Sequence, residues 1–239
     1  MFAVLPLLLA VMTSADAVQI VLNSSNSVGV VTFQKAREMV EREAAEGKPL
    51  QQFVIGVTTE DPVLAKRYLN ASREKIRQIA ERNDNALAWY LLSMETNDFK
   101  LLQRAADGEN VQALNAMGAI ATSEAVSRSD LDVMRVERIL QRSYDCFRRA
   151  AKQRDANGFV NLGTCYLRGL GCKQDMAMAF RCFQAAAELG HPEGMDNVSA
   201  CYQFGHGIEK NDELSLFWGM RGRAVRGNAA AAKWLKERR

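Results

Sequence analysis

Residues 162–190 read LGTCYLRGLGCKQDMAMAFRCFQAAAELG, and residues 198–227 read VSACYQFGHGIEKNDELSLFWGMRGRAVRG. The two stretches say nearly the same thing. Cys165, Tyr166, Gly169 and Gly171 return 36 places later as Cys201, Tyr202, Gly205 and Gly207. One residue is then gained before Asp212, and Phe180 and Gly190 return 37 places on as Phe217 and Gly227. A period of this size marks a stack of one supersecondary unit, which needs a neighbour to bury its apolar face.

Working outward on the small residues that end each second helix gives four copies: Ala105-Ala106, Ala150-Ala151, Ala186-Ala187 and, degenerate, Arg223-Ala224. Eleven places after the first three pairs stand Met117-Gly118, Leu162-Gly163 and Val198-Ser199. Leu162, Gly163 and Tyr166 share one helix face, where glycine lets a neighbouring helix approach. Gly169 and Gly171 supply the positive backbone angles that stop the first helix and turn the chain. Asp175 and Asp212 are placed to cap the helix that follows. Each unit is therefore a helix, a tight turn and an antiparallel helix.

The second copy carries about nine extra residues around TSEAVSRSDLDV, since its markers lie 45 and not 36 places from their counterparts. That predicts a protruding loop or a helix extension. The first copy, NALAWYLLSMETNDFKLLQRAADG, is compressed and lacks the glycine turn, as terminal repeats often do. Upstream, TFQKAREMVEREAAEG reads as an amphipathic helix from near Thr32 to Gly47. A longer helix follows, with Asp61 as cap and Pro62 in its first turn. LQQFVIGV between them fits a short strand or a buried helix, which periodicity does not separate.

The composition, 48% hydrophobic and 25% charged with net charge +3, is that of an ordinary globular chain and demands no nucleic acid or anionic membrane. The tail RGRAVRGNAAAAKWLKERR, with seven cations and one glutamate, reads as a basic C-terminal cap. Residues 1–17, apolar from Phe2 to Met12 and ending Ala15-Asp16-Ala17, fit an export signal; the alternative is a buried N-terminal helix. The expected organisation is a signal over 1–17, an arm and helices over 18–85 that include a possible degenerate repeat, and a repeat domain of about four hairpins over 86–239. The protein is then periplasmic or secreted, with no integral membrane segment once the signal is removed.

In such a compartment the cysteines have two readings. The symmetric disulfides are Cys146 with Cys165 and Cys182 with Cys201, leaving Cys172 free. Alternatively, cysteine serves as a small apolar residue at repeated packing positions.

The stretch LGTCYLRGLGCKQDMAMAFRCFQAAAELGHPEG resembles the Sel-one-like repeat, a relative of the tetratricopeptide repeat. The match is strong over 156–190, good over 192–227, recognisable over 113–154 and weak over 86–109. Where the family has tryptophan-tyrosine, this chain has Cys182-Phe183 and then Gly219-Met220, so the last unit looks like a cap. The resemblance implies an all-α, right-handed α-solenoid of antiparallel helix hairpins. It also implies a non-catalytic adaptor or scaffold that binds another protein or a peptide on the concave face lined by first helices. In the tetratricopeptide register that face presents Gln112, Asn115, Asn157, Val160, Thr164, Arg168, Glu193, Asp196, Gln203 and Phe204.

Chemistry has little to stand on. His191 and His206 sit at turns without a partnered nucleophile and read as surface residues. GLG and GHG follow helices and not strands, so they make no phosphate loop. No cofactor and no metal are expected, since no cysteine or histidine cluster has ligand spacing. A thiol-dependent or hydrolytic enzyme would have to use Cys172, beside Lys173 at the start of a helix, where a lowered pKa would activate it. A structural envelope protein contacting cell-wall polymer is the other alternative.

Overall fold

The computed structural model describes residues 30–128 and 130–238, with only the backbone helix described for residues 30–33. The signal reading of 1–17 and most of the expected arm lie outside the described residues. The chain divides into two compact units, one ending at Gly108 and the other beginning at Glu109. All regular structure among the described residues is helical. This is the expected all-α arrangement of hairpins.

The first unit contains α1 (Val30–Ala45), α2 (Pro49–Thr58), α3 (Pro62–Asn83), α4 (Ala86–Thr96) and α5 (Phe99–Asp107). Pro49 and Pro62 stand where a helix tolerates proline, in the first turn with no amide to satisfy. Asp61 caps α3 as expected, accepting from the amides of Val63 and Leu64. LQQFVIGV resolves as the buried helix α2, whose Phe53, Val54 and Ile55 are in the core. The missing glycine turn of the first repeat is replaced by Asn97, which adopts the left-handed conformation at φ 53°, and Asp98 caps α5 directly after it.

The second unit contains α6 (Val111–Ser127), α7 (Val133–Lys152), α8 (Ala156–Arg168), α9 (Met176–Glu188), α10 (Pro192–Phe204), α11 (Asp212–Val225) and α12 (Ala229–Glu237). They pair as hairpins α6–α7, α8–α9 and α10–α11, with α12 packed on α11. The extra residues of the second copy lengthen both helices: α6 and α7 have 17 and 20 residues against 13 in each of α8 and α9.

The repeat period is also a period of contacts. Tyr144 of α7 meets Tyr166 of α8 edge to face at 5.8 Å, and their hydroxyls are 3.0 Å apart. One repeat on, Phe180 of α9 meets Tyr202 of α10 at 5.4 Å. Gly118 lies against the ring of Phe147, and Gly163 against that of Phe183, so closely that a Cβ on either would stand 2.5–2.6 Å from ring carbon. Full burial of a phenylalanine at such a place contributes about 2 kcal/mol. In the third hairpin the pair is lost: Ser199 replaces the glycine and Gly219 the phenylalanine, and Ser199 donates instead to the Ser215 carbonyl at 2.7 Å.

One expectation is corrected by the caps. Asp175 does cap α9, accepting from Met178, but α11 is capped by Asn211, which accepts from Leu214, while Asp212 is the first helical residue. The 36-residue period therefore holds through the cap. The extra residue lies inside α11, which has 14 residues to the 13 of α9. Leu216, and not Phe217, occupies the position of Phe180.

Candidate functional site

The first helices α6, α8 and α10 lie side by side, each the start of a hairpin, and so run in the same direction. Their N-termini are capped by Asn110, Asp155 and His191. Five residues on from each cap come Asn115, Val160 and Asp196, one position repeated in the three first helices. Asn115 Nδ2 donates to Asp155 Oδ1 at 2.7 Å, and Asp196 forms an ion pair with Arg226, the residue that ends α11. This pairing, led by the hydrogen bond from Arg226, raises the guanidinium pKa. Val160 fills the equivalent place in α8 and is only 4% exposed.

The predicted face therefore divides. Val160 and Gln112, the latter 8% exposed, are buried and do not line an open groove, which corrects the register inferred for them. Asn115, Asn157, Thr164 and Asp196 are half-buried and engaged within the protein. Asn157 meets His191, and Thr164 donates to the Val160 carbonyl of its own helix at 3.0 Å. Arg168, Glu193, Gln203 and Phe204 are exposed. Arg168 and Phe204 are one period apart and occupy the same position at the C-terminal ends of the parallel helices α8 and α10. Gln203 precedes Phe204, and Glu193 lies at the opposite end of α10. Phe204 is 56% exposed and its ring lies 5.7 Å from that of His206.

The histidine reading changes most. His191 is not a surface residue: it is 2% exposed, its Nδ1 accepts the Gly194 amide at 3.3 Å, and its Nε2 lies 3.0 Å from Asn157 Oδ1. Burial is the main cause that pushes its pKa below the ordinary histidine value. A capping role for histidine was hidden because every other capped helix uses Asn or Asp; the only sequence signal is that His191 falls 36 places after Asp155.

No disulfide joins any of the five cysteines, so neither symmetric pairing is formed. Cys165 and Cys182 pack with Phe147 and Leu162 in one core cluster, and Cys201 with Phe183 and Val198 in the next. Burial pushes their thiols up, Cys165 to about 12 and Cys182 and Cys201 to about 11. The Cys172 thiol is also raised, by burial first and then by Asp175, the reverse of what an activated nucleophile requires. Lys173 beside it in sequence does not offset these two effects. Among the described residues no group of His, Cys, Asp or Glu is arranged to hold a metal ion, and no helix is long and apolar enough to cross a membrane.

Stacked hairpins with a shared polar seam between first helices define a repeat scaffold. Residues 136–155, 160–191 and 192–218 match the Sel1 repeat. Among solved structures, the chain is similar to c5321, a protective antigen present in uropathogenic Escherichia coli strains displaying an SLR fold. Identity is 19%, the TM-score is 0.54, and the match covers 83% of this chain and 46% of that one. This chain thus spans less than half of that protein, and the likeness is one of fold. It also matches a Sel1 repeat protein from Oxalobacter formigenes at 22% identity over 53% of this chain and 90% of that one, with a TM-score of 0.45. No curated protein matches the chain.

Proposed function

We propose that the protein is a non-catalytic adaptor that binds another protein or a peptide along the first helices of its second unit, on the concave side of the stack. One observation carries the reading. At the C-terminal ends of adjacent parallel helices, Arg168, Gln203 and Phe204 are exposed, while Asn115, Asn157 and Asp196, nearer the N-termini, are engaged by other residues of the stack. A cation and an aromatic ring one repeat apart suit an extended ligand carrying a carboxylate and an apolar side chain, since arginine and aromatics dominate binding energy at interfaces. The organisation goes with this reading: a signal over 1–17, export to the periplasm or beyond, and repeats acting outside the cytoplasm.

The test compares crosslinked capture from envelope extract by the wild type and by the double variant Arg168→Glu, Phe204→Ala. Both residues are exposed, so the variant should keep its helical circular dichroism. Capture of one defined protein by the wild type, reduced at least tenfold in the variant, is the expected result. Equal capture by both would place the contact elsewhere on the chain. Retention on anionic cell-wall polymer that salt abolishes and that the variant leaves unchanged would favour the basic tail, with Lys233 and Lys236 exposed on α12, as the functional surface.

A further inference from the structure

Each of the ten helices from α3 to α12 has a side-chain N-cap, and nine of those caps are aspartate or asparagine. The tenth is His191. Aspartate and asparagine caps keep their acceptor oxygen across the neutral and mildly acidic range, whereas an imidazole keeps its acceptor nitrogen only while neutral.

The surroundings of His191 fix its tautomer. With Nδ1 accepting from the Gly194 amide, the ring proton resides on Nε2 and is donated to Asn157 Oδ1 in the first turn of α8. The His191 amide donates to the Ala186 carbonyl at the end of α9. Gly194 is seated so closely on that end that a Cβ would stand 2.7 Å from Ala186 Cβ. One buried ring therefore joins the start of α10 to the start of α8, where α10 rests on α9.

Protonation would place a second N–H on Nδ1, facing the Gly194 amide donor to donor. It would also add a positive charge at a helix N-terminus, which the helix dipole disfavours. The charged groups facing the ring are Asp155 from α8, Glu193 from its own helix and Arg226 from the end of α11, the last already paired with Asp196. Asp155 and Glu193 favour the imidazolium; Arg226 and burial oppose it, and burial is the largest effect. The folded-state pKa lies below the value of about 6.5 that the unfolded chain shows. As pH falls through that interval the unfolded state binds more protons, and stability is lost.

We propose that His191 is an acid-sensitive latch between the α8–α9 and α10–α11 hairpins: protonation uncaps α10 and releases it from Asn157, loosening the first-helix face on which the candidate binding residues lie. The latch stands on the hydrogen-bond geometry and does not depend on any partner.

The experiment follows the full chain between pH 8 and 5, measuring exchange of the Gly194 amide, corrected for its intrinsic rate, and the urea midpoint. The wild type is compared with His191→Asn, which restores the kind of cap used by the other helices and removes the titration. Wild-type protection of Gly194 should fall about tenfold across this range, relative to the variant, with a parallel fall in midpoint. Identical pH profiles in the two proteins would overturn the proposal. Should the variant fail to fold, direct nuclear magnetic resonance titration of the wild-type imidazole decides: a pKa at or above 6.5, or a proton on Nδ1 at pH 8, would overturn it as well.

Discussion

Gly171 and Gly207 do two jobs that a single letter in the sequence conceals. Each has φ above +70° or close to it, and each also rests against backbone of the preceding hairpin, Gly171 on the Leu140 carbonyl and Gly207 on the Met176 carbonyl. Leu140 and Met176 are themselves 36 residues apart, so the contact repeats with the period. The first glycine of each pair, Gly169 or Gly205, serves mainly to end its helix in the left-handed conformation. Gly190 has φ +89° with open space around it. Gly190→Ala should therefore cost only the backbone strain, about 1 kcal/mol, whereas Gly171→Ala adds a backbone collision and should cost about 3 kcal/mol or more. Urea denaturation of the two variants measures the difference, and equal losses would mean that the turn is free to move off α7. The sequence announced the positive φ at these glycines, but their second role depends on which carbonyl the fold brings beneath them.

At the level of the element, the caps do more to define each repeat than the apolar residues do. α6 and α10 show only a weak helical stripe because their neighbours surround them, yet their start points are fixed by side chains that accept from the third residue onward. The assignment of the α11 cap can be checked directly. Asn211→Ala should destabilise by about 1 kcal/mol, while Asp212→Ala removes only a charge in the first turn and should cost a few tenths. Thermal or urea unfolding in which Asp212→Ala costs as much as Asn211→Ala would restore the sequence alignment that places the extra residue ahead of the helix. That alignment followed the reappearance of Phe180 as Phe217, because matching aromatic to aromatic is the natural choice. It failed because the last hairpin has Ser199 and Gly219 in place of the glycine and phenylalanine, which removes the packing constraint that keeps an aromatic at one fixed position. The insertion in the second copy was legible as an insertion, but its sharing between α6 and α7 was not, since the alanine-rich and arginine-rich flanks both favour helix.

For the molecule as a whole, the division after Gly108 assigns α6 to α12 a core of their own. It is made of clusters around Phe147, Leu162 and Cys182 and around Phe183, Met195 and Val198. Contacts in this unit run mainly between consecutive helices, as in other repeat arrays, where stability is close to a sum of units and their interfaces. Residues 109–239 expressed alone should retain helical circular dichroism and a cooperative urea transition. A fragment without that transition would show that its clusters do not suffice to hold the hairpins together.

The sequence by itself determined the repeat, its period, its helical hairpins and the location of its turns, because those rest on local rules: glycine for positive φ, Asx for caps, and apolar spacing for faces. α2 is undecided between strand and helix in the sequence, and only its burial against its neighbours settles it as a helix. Tertiary structure alone decided which polar residues are spent inside. Asn115, Asn157 and Asp196 look like groove residues in the sequence, yet they meet Asp155, His191 and Arg226 across 30 to 40 residues of chain. It also decided that His191 is buried and that burial and Asp175 push the Cys172 thiol up. Those outcomes depend on what the fold brings opposite a side chain, and no local pattern records it.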